Sequence, residues 1–218
     1  MTSLIRMIIV IALASNWSQA MAIEEPEYAV IHATDDYEIR RYAPYIVAEV
    51  DVPGGFGEAG NTAFRQLAGY IFGDNEPQEK MAMTAPVESR EAQRGERMKM
   101  TAPVLSESRA DQGDVYTYAF VMERKYTLDT LPKPLNSDIR IVQRPSRIVA
   151  AHRYSGRWTE DNYREHEKRL LDALAADGVE IVGKPLLARY DAPFTPWFLR
   201  RNEIQVEVAW ESGQKDQS

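Results

Sequence analysis

Apolar positions along the chain alternate in two periods. Residues 28–32 (YAVIH), 37–42 (YEIRRY) and 45–52 (YIVAEVDV) alternate or run in β-branched blocks, and the third is closed by Pro53-Gly54-Gly55. This is strand patterning with turn punctuation. From Phe56 the period lengthens. Phe56, Ala59, Ala63, Leu67 and Ile71 recur at three and four, which predicts an amphipathic helix ended by Gly73 and Asp74-Asn75. Strand patterns return at 114–123, 138–143 and 146–155. A second helix is predicted over about 160–176, with Thr159 as N-cap, Glu160 and Asp161 in the dipole-favoured first turn, and Gly178 as its stop. Its buried stripe is Tyr163, Leu170 and Leu174. Strands at 179–190 and 202–210 close the chain.

One phrase is written twice. Residues 81–87 read MAMTAPV and 98–104 read MKMTAPV, separated by the polar ESREAQRGER. As strands, Met81 and Met83 would share a face, as would Met98 and Met100, so the pair predicts a hairpin presenting methionines to one apolar surface. Methionine fills irregular apolar space and tolerates varied partners, so this surface either lines an adaptable ligand patch or plugs the core beneath the helices. The prolines suit edges or bends.

The order strands–helix–strands occurs twice, which implies an α+β fold of two β-α-β-β-type halves sharing a curved core, with the helices covering it. The 218 residues, 44% of them hydrophobic and none of them cysteine, suffice for such a core without disulfides. The first 22 residues stand apart. A basic MTSLIR, the short apolar run MIIVIALA and the Ala20-Met21-Ala22 pattern read as a secretory signal peptide. The run is too short to span a bilayer. Removing it takes the net charge from −7 to −8 by loss of Arg6, and leaves a single domain over 23–212 with a disordered tail at 213–218. A periplasmic or secreted protein with no stable membrane anchor is expected. The acidic balance argues against nucleic acid. Arg40-Arg41, Arg144 with Arg147, and Arg200-Arg201 are local basic spots, read as solvated strand or loop faces.

No nucleophile elbow, phosphate-cradling loop or cysteine nucleophile is present. His32, His152 and His166 show no metal-ligand spacing. The most concentrated polar constellation is Arg200-Arg201-Asn202-Glu203 with Tyr190 and Asp191. It reads either as an ion-paired strand entry or, if a central cleft exists, as a place where Glu203 faces a cationic or polar ligand.

The stretches YEIRRYAPYIVAEV (37–50), AFRQLAGYIFGDN (63–75), the two MTAPV phrases, YTLDTLPKPLNSDIRI (126–141) and ARYDAPFTPWFLRRNEIQVEV (188–208) resemble the SOUL, or haem-binding protein, family. The resemblance implies a distorted β-barrel built as a pseudo-twofold repeat and flanked by two helices, related in architecture to GyrI-like ligand-binding domains. It implies haem or another tetrapyrrole as a non-covalent, small-molecule ligand on an apolar surface of the first helix. Arg41 stands where one member has a histidine assigned as axial ligand, and a guanidinium has no lone pair for iron. The family's ring-facing helix positions fall here on Asn61, Phe64 and Ala68. Arg65, Arg40 or Arg41 would then supply the charge, and Met83 and Met100 the adaptable surface. The alternative implied is a small non-haem ligand, or a reaction on one, in a GyrI-like central cleft.

Overall fold

A computed structural model describes residues 23–77, 95–109 and 114–210. The leader, the C-terminal tail and the first methionine phrase, with Met83, lie outside the described residues.

The strands are β1 (Tyr28–Ala33), β2 (Glu38–Tyr42), β3 (Tyr45–Pro53), β4 (Asn75–Glu76), β5 (Val104–Ser108), β6 (Val115–Val121), β7 (Lys133–Pro134), β8 (Arg140–Arg144), β9 (Arg147–Tyr154), β10 (Glu180–Ile181), β11 (Leu186–Arg189) and β12 (Asn202–Ala209). Helix α1 (Glu58–Phe72) follows β3, and α2 (Glu160–Ala176) follows β9. The main sheet runs β1-β2-β9-β12-β11-β5-β6-β3-β8, with antiparallel pairing throughout.

The two expected halves are visible in this order. The unit β3-α1-β5-β6 corresponds to β9-α2-β11-β12: β3 pairs with β6 as β9 pairs with β12, and the halves join where β5 pairs with β11. The outer strands are exchanged. β2, which precedes the first unit, pairs with β9 of the second, and β8, which precedes the second, pairs with β3 of the first. Neither half can leave without breaking a ladder of the other.

Each strand of the curled sheet presents alternate residues to opposite faces. Ala48, Val50 and Val52 of β3 meet Ala59, Ala63, Leu67 and Ile71 of α1. Ile39, Ala150, Leu187 and Ile204 meet Tyr163, Leu170 and Leu174 of α2. The helix-free face, inside the curl, is packed by Val47, Leu105, Ala119, Val149, Leu186 and Ala188. Both predicted stripes are buried, except that Phe56 precedes α1 and packs across to the α2 cluster, with its ring 5.6 Å from that of Tyr163. Thr159 caps α2, its hydroxyl accepting from Asn162 N at 3.4 Å, and Gly178 takes the left-handed conformation just past the end (φ +67°).

Two expectations change. The second methionine phrase forms no hairpin arm: 98–103 is irregular and only Val104 begins a strand, β5. Its backbone is held by non-ladder bonds, Met98 N to Ile71 O (2.9 Å), Lys99 N to the Glu123 carboxylate (2.9 Å) and Ala102 N to Glu24 O (2.9 Å). The expected strand at 179–190 breaks into β10 and β11 around Gly183 and Pro185, where Val182 N and Gly183 N both donate to Glu207 O.

Candidate functional site

The outer face of α1 carries Asn61, Phe64 and Arg65, all exposed. Phe64 is 43% exposed, and its ring meets Phe120 of β6 edge-on with centroids 5.5 Å apart. Ala68 does not join this face: it is buried in the α1–sheet cluster. Four residues beyond Phe64 on the helix, it has rotated onto the Leu67–Ile71 side.

Beside Phe64 a groove runs between α1 and the loop that follows β11. Gly60 and Phe64 form one wall, and Trp158, Asp191 and Pro193 the other, above Tyr118, Phe120 and Arg189. Its enclosed part is about 70 Å³. Arg189 is the unusual member. Its guanidinium carbon lies 5.4 Å from the Trp158 ring centroid, 5.6 Å from Phe56 and 6.0 Å from Tyr118. Its Nε is buried without a hydrogen-bond partner, and no carboxylate among the described residues lies within ion-pair distance. Burial, opposed by the Tyr118 hydroxyl, holds this guanidinium below its ordinary value; arginine still stays charged. A half-buried guanidinium caged by rings, with no carboxylate partner among the described residues, is a receptive place for an anion.

The loop at 191–199 extends the apolar wall outward. Phe194, Trp197, Phe198 and Leu199 are 89%, 48%, 58% and 65% exposed. Arg200 fastens it, donating to the carbonyls of Thr195 (2.8 Å) and Pro193 (2.6 Å) and lying 4.2 Å from the Trp158 ring. Trp158 is held in turn by Asn202, whose Oδ1 accepts from the indole at 2.7 Å.

The remaining sequence-named residues lie elsewhere. Arg41 is exposed on β2, in the α2 half, and does not reach the groove. Met98 is buried beneath α1 and Met100 packs partly buried against the same cluster, so this phrase serves the core there. His32 stacks on Trp210 with centroids 5.0 Å apart. His152 is buried: its Nδ1 lies 2.6 Å from Asp36 O and its Nε2 3.0 Å from His166 Nδ1, and the His166 ring stacks on Tyr154 at 3.9 Å. Among the described residues no three His, Cys, Asp or Glu side chains gather for a metal.

Glu203 meets no open cleft. Fully buried, it accepts from Arg40 (2.7 and 3.2 Å), Arg201 (2.9 and 3.1 Å), the Tyr190 hydroxyl (2.9 Å) and Gln205 (2.9 Å). Burial alone would raise this carboxyl, but the guanidinium bonds and charges override it and hold it below its ordinary value. Arg40 also binds Glu38 (2.7 Å) and Arg201 binds Glu25 (3.0 Å). The constellation is an ion-paired plug that ties β2 and the N-terminal segment to β12. Arg40 is therefore not a solvated strand face, as its neighbour Arg41 is.

With this geometry in view, the comparisons place the fold. Residues 23–207 match the family described as SOUL heme-binding protein, and the chain belongs to that family. Heme-binding protein 2 of Mus musculus is 27% identical over 203 residues, covering 87% of this chain and 92% of the relative. Heme-binding protein 2 of Homo sapiens is 27% identical over 210 residues, covering 89% and 94%. Among solved structures, a hydrolase from Listeria innocua superimposes with a TM-score of 0.56 at 12% identity, covering 82% of this chain and 94% of that one. The EcmrR C-terminal domain gives 0.55 at 11%, covering 84% and 99%. These two likenesses speak for the fold alone.

No described side chain lining the groove is a histidine, cysteine or methionine. What the groove offers a tetrapyrrole is flat apolar contact at Phe64 and a guanidinium at Arg189. That combination fits a ring with acidic side arms held without axial ligation from the groove.

Proposed function

We propose that this chain binds haem or a related tetrapyrrole, non-covalently, across the exposed Phe64 and the mouth of the groove. The observation that carries the reading is the unpaired, ring-caged Arg189 next to a half-exposed aromatic on α1. The enclosed volume of about 70 Å³ takes a carboxylate-bearing side arm and not a macrocycle. The ring therefore lies outside, between Phe64 and the apolar 191–199 loop, with Arg65 exposed on the same helix. The names of the two mammalian relatives support the ligand class. The apolar contact supplies affinity, and the guanidinium orients the acidic edge.

The role we infer is transport, buffering or delivery in the periplasm or outside the cell, after removal of residues 1–22. Two experiments test this reading. Haem titrated into residues 23–218 should give a saturable Soret change with quenching of Trp158 and Trp197 fluorescence. Expression of all 218 residues in a bacterial host should yield a periplasmic protein beginning at Ile23; a chain retained in the cytoplasm with Met1 intact would refute the location.

A further inference from the structure

The sheet has a second recess, on the face away from the helices. There a cavity of about 350 Å³ opens among Glu49, Glu107, Arg109, Arg144 and Arg147. A neighbouring recess of about 160 Å³ shares Glu107, Arg144 and Arg147 with it, and adds Lys184 and Gln205. Together they are of ligand-pocket size. Val104 and Glu107 lie three apart on β5, so they face opposite sides: Val104 lines the groove by α1, and Glu107 lines this mouth.

The charges here are incompletely matched. Arg144 contacts Glu49 through one Nη at 3.3 Å, and its Nε is buried with no partner. Arg147 has no carboxylate within ion-pair distance among the described residues. It donates to the Tyr45 hydroxyl at 2.6 Å, and its Nε too is buried and unsatisfied. Across the cavity the Glu107 carboxylate, partly buried, makes no side-chain hydrogen bond among the described residues. Burial raises this carboxyl although Arg144, Lys184, Arg109 and Arg147 all pull it down. Buried polar groups in native proteins normally find partners. Here two buried guanidinium Nε atoms lack an acceptor, and a partly exposed carboxylate without a side-chain partner among the described residues stands in the same cavity.

We propose that the barrel mouth binds a small zwitterion, an amino acid or short peptide, with its carboxylate on Arg147 and Arg144 and its ammonium on Glu107. A simple polyanion would face Glu107 and Glu207, and a simple cation would face the arginines; a molecule carrying both charges satisfies both. The site is independent of the tetrapyrrole reading and lies on the other face of β5 and β11.

The test is calorimetric titration of residues 23–218 with a panel of free amino acids and dipeptides, alongside acetate, succinate and ethylammonium. Saturable binding of at least one zwitterion is expected, with Kd of about 1 mM or tighter. Arg147→Gln and Glu107→Gln should each weaken it at least about tenfold, as loss of a charge-assisted hydrogen bond does. Arg147→Lys, which keeps the charge and the fold but loses the fork, should also weaken it, and haem binding should not move. No saturable zwitterion, equal binding of acetate or succinate, or binding unchanged in both substitutions would overturn the proposal.

Discussion

Replacing Arg40 by Met tests whether the Glu203 constellation is a structural plug. The Arg40 side chain is 4% exposed and that of Glu203 is 0%. Arg40→Met removes the 2.7 and 3.2 Å bonds and one of two neutralising cations, and fills the space with an apolar chain of similar length. Breaking a buried pair by removing one partner costs about 3–5 kcal/mol, because the remaining charge stays buried. Glu203 keeps Arg201, Tyr190 and Gln205, so the low end applies, about 3 kcal/mol. For a chain of this size about 1 kcal/mol moves Tm by roughly 2–4 °C, so a fall of about 6–12 °C is expected. Thermal unfolding followed by near-UV circular dichroism reads it directly. Glu203→Gln adds a check: it leaves two guanidinium groups facing an amide and should also destabilise. A Tm within about 2 °C of wild type for Arg40→Met would refute the plug and reopen Glu203 as a ligand-facing acid.

Other expectations follow from the same structure. Leu170→Ala, at a fully buried position on the sheet-facing side of α2, should cost about 2–5 kcal/mol, measured by denaturant unfolding. Arg189→Gln should weaken haem about tenfold or more, since hydrogen bonds to charged groups are worth about 1.5–3 kcal/mol; unchanged affinity would remove Arg189 from the site. His166 is held below its ordinary value of 6.5 by burial first and by His152 second. As pH falls below about 6.5 the unfolded chain takes up a proton that folded His166 refuses, so stability drops until the folded ring also protonates. His166→Asn should flatten the fall in Tm between about pH 7.5 and about pH 5.5; identical slopes would contradict the assignment.

The parts of the fold set by local period were readable from sequence. The 3.6 stripe of Ala59, Ala63, Leu67 and Ile71 and the cap at Thr159 became α1 and α2 because side-chain burial and end-capping are local effects. The twice-written element order became two units joined at β5 and β11. The exchanged outer strands were not readable, since strand partners depend on contacts remote in sequence. The methionine phrase misled for a related reason: alternation alone cannot distinguish a strand from an extended segment held by bonds such as Met98 N to Ile71 O. At the candidate site, Phe64 was named from sequence and is exposed, whereas Ala68 and Met100 proved to pack toward the core. Arg189 was missed, although it left a signal: it interrupts the helix-facing positions of LLAR, where Leu187 precedes it on the same face. Arg144 and Arg147 were read as solvated spots, because nothing in single-residue charge tells which basic groups a curled sheet will turn inward.

The central claim is that the ligand lies on Phe64. With Phe64 43% exposed, and about 150–250 Å² for an aromatic residue, a bound macrocycle that covered all of the exposed part would bury about 65–110 Å². At about 25 cal/mol/Å² that is about 1.6–2.7 kcal/mol, or about 15- to 100-fold in Kd. The direct measurement is haem titration of wild type, Phe64→Ala and Phe64→Asp, followed by Soret absorbance and tryptophan quenching. Saturable binding by wild type, weakened about 15- to 100-fold in Phe64→Ala and further in Phe64→Asp, is the predicted result. Saturable binding unaffected by either substitution would place the ring elsewhere, and unsaturable binding in all three would contradict the tetrapyrrole reading itself.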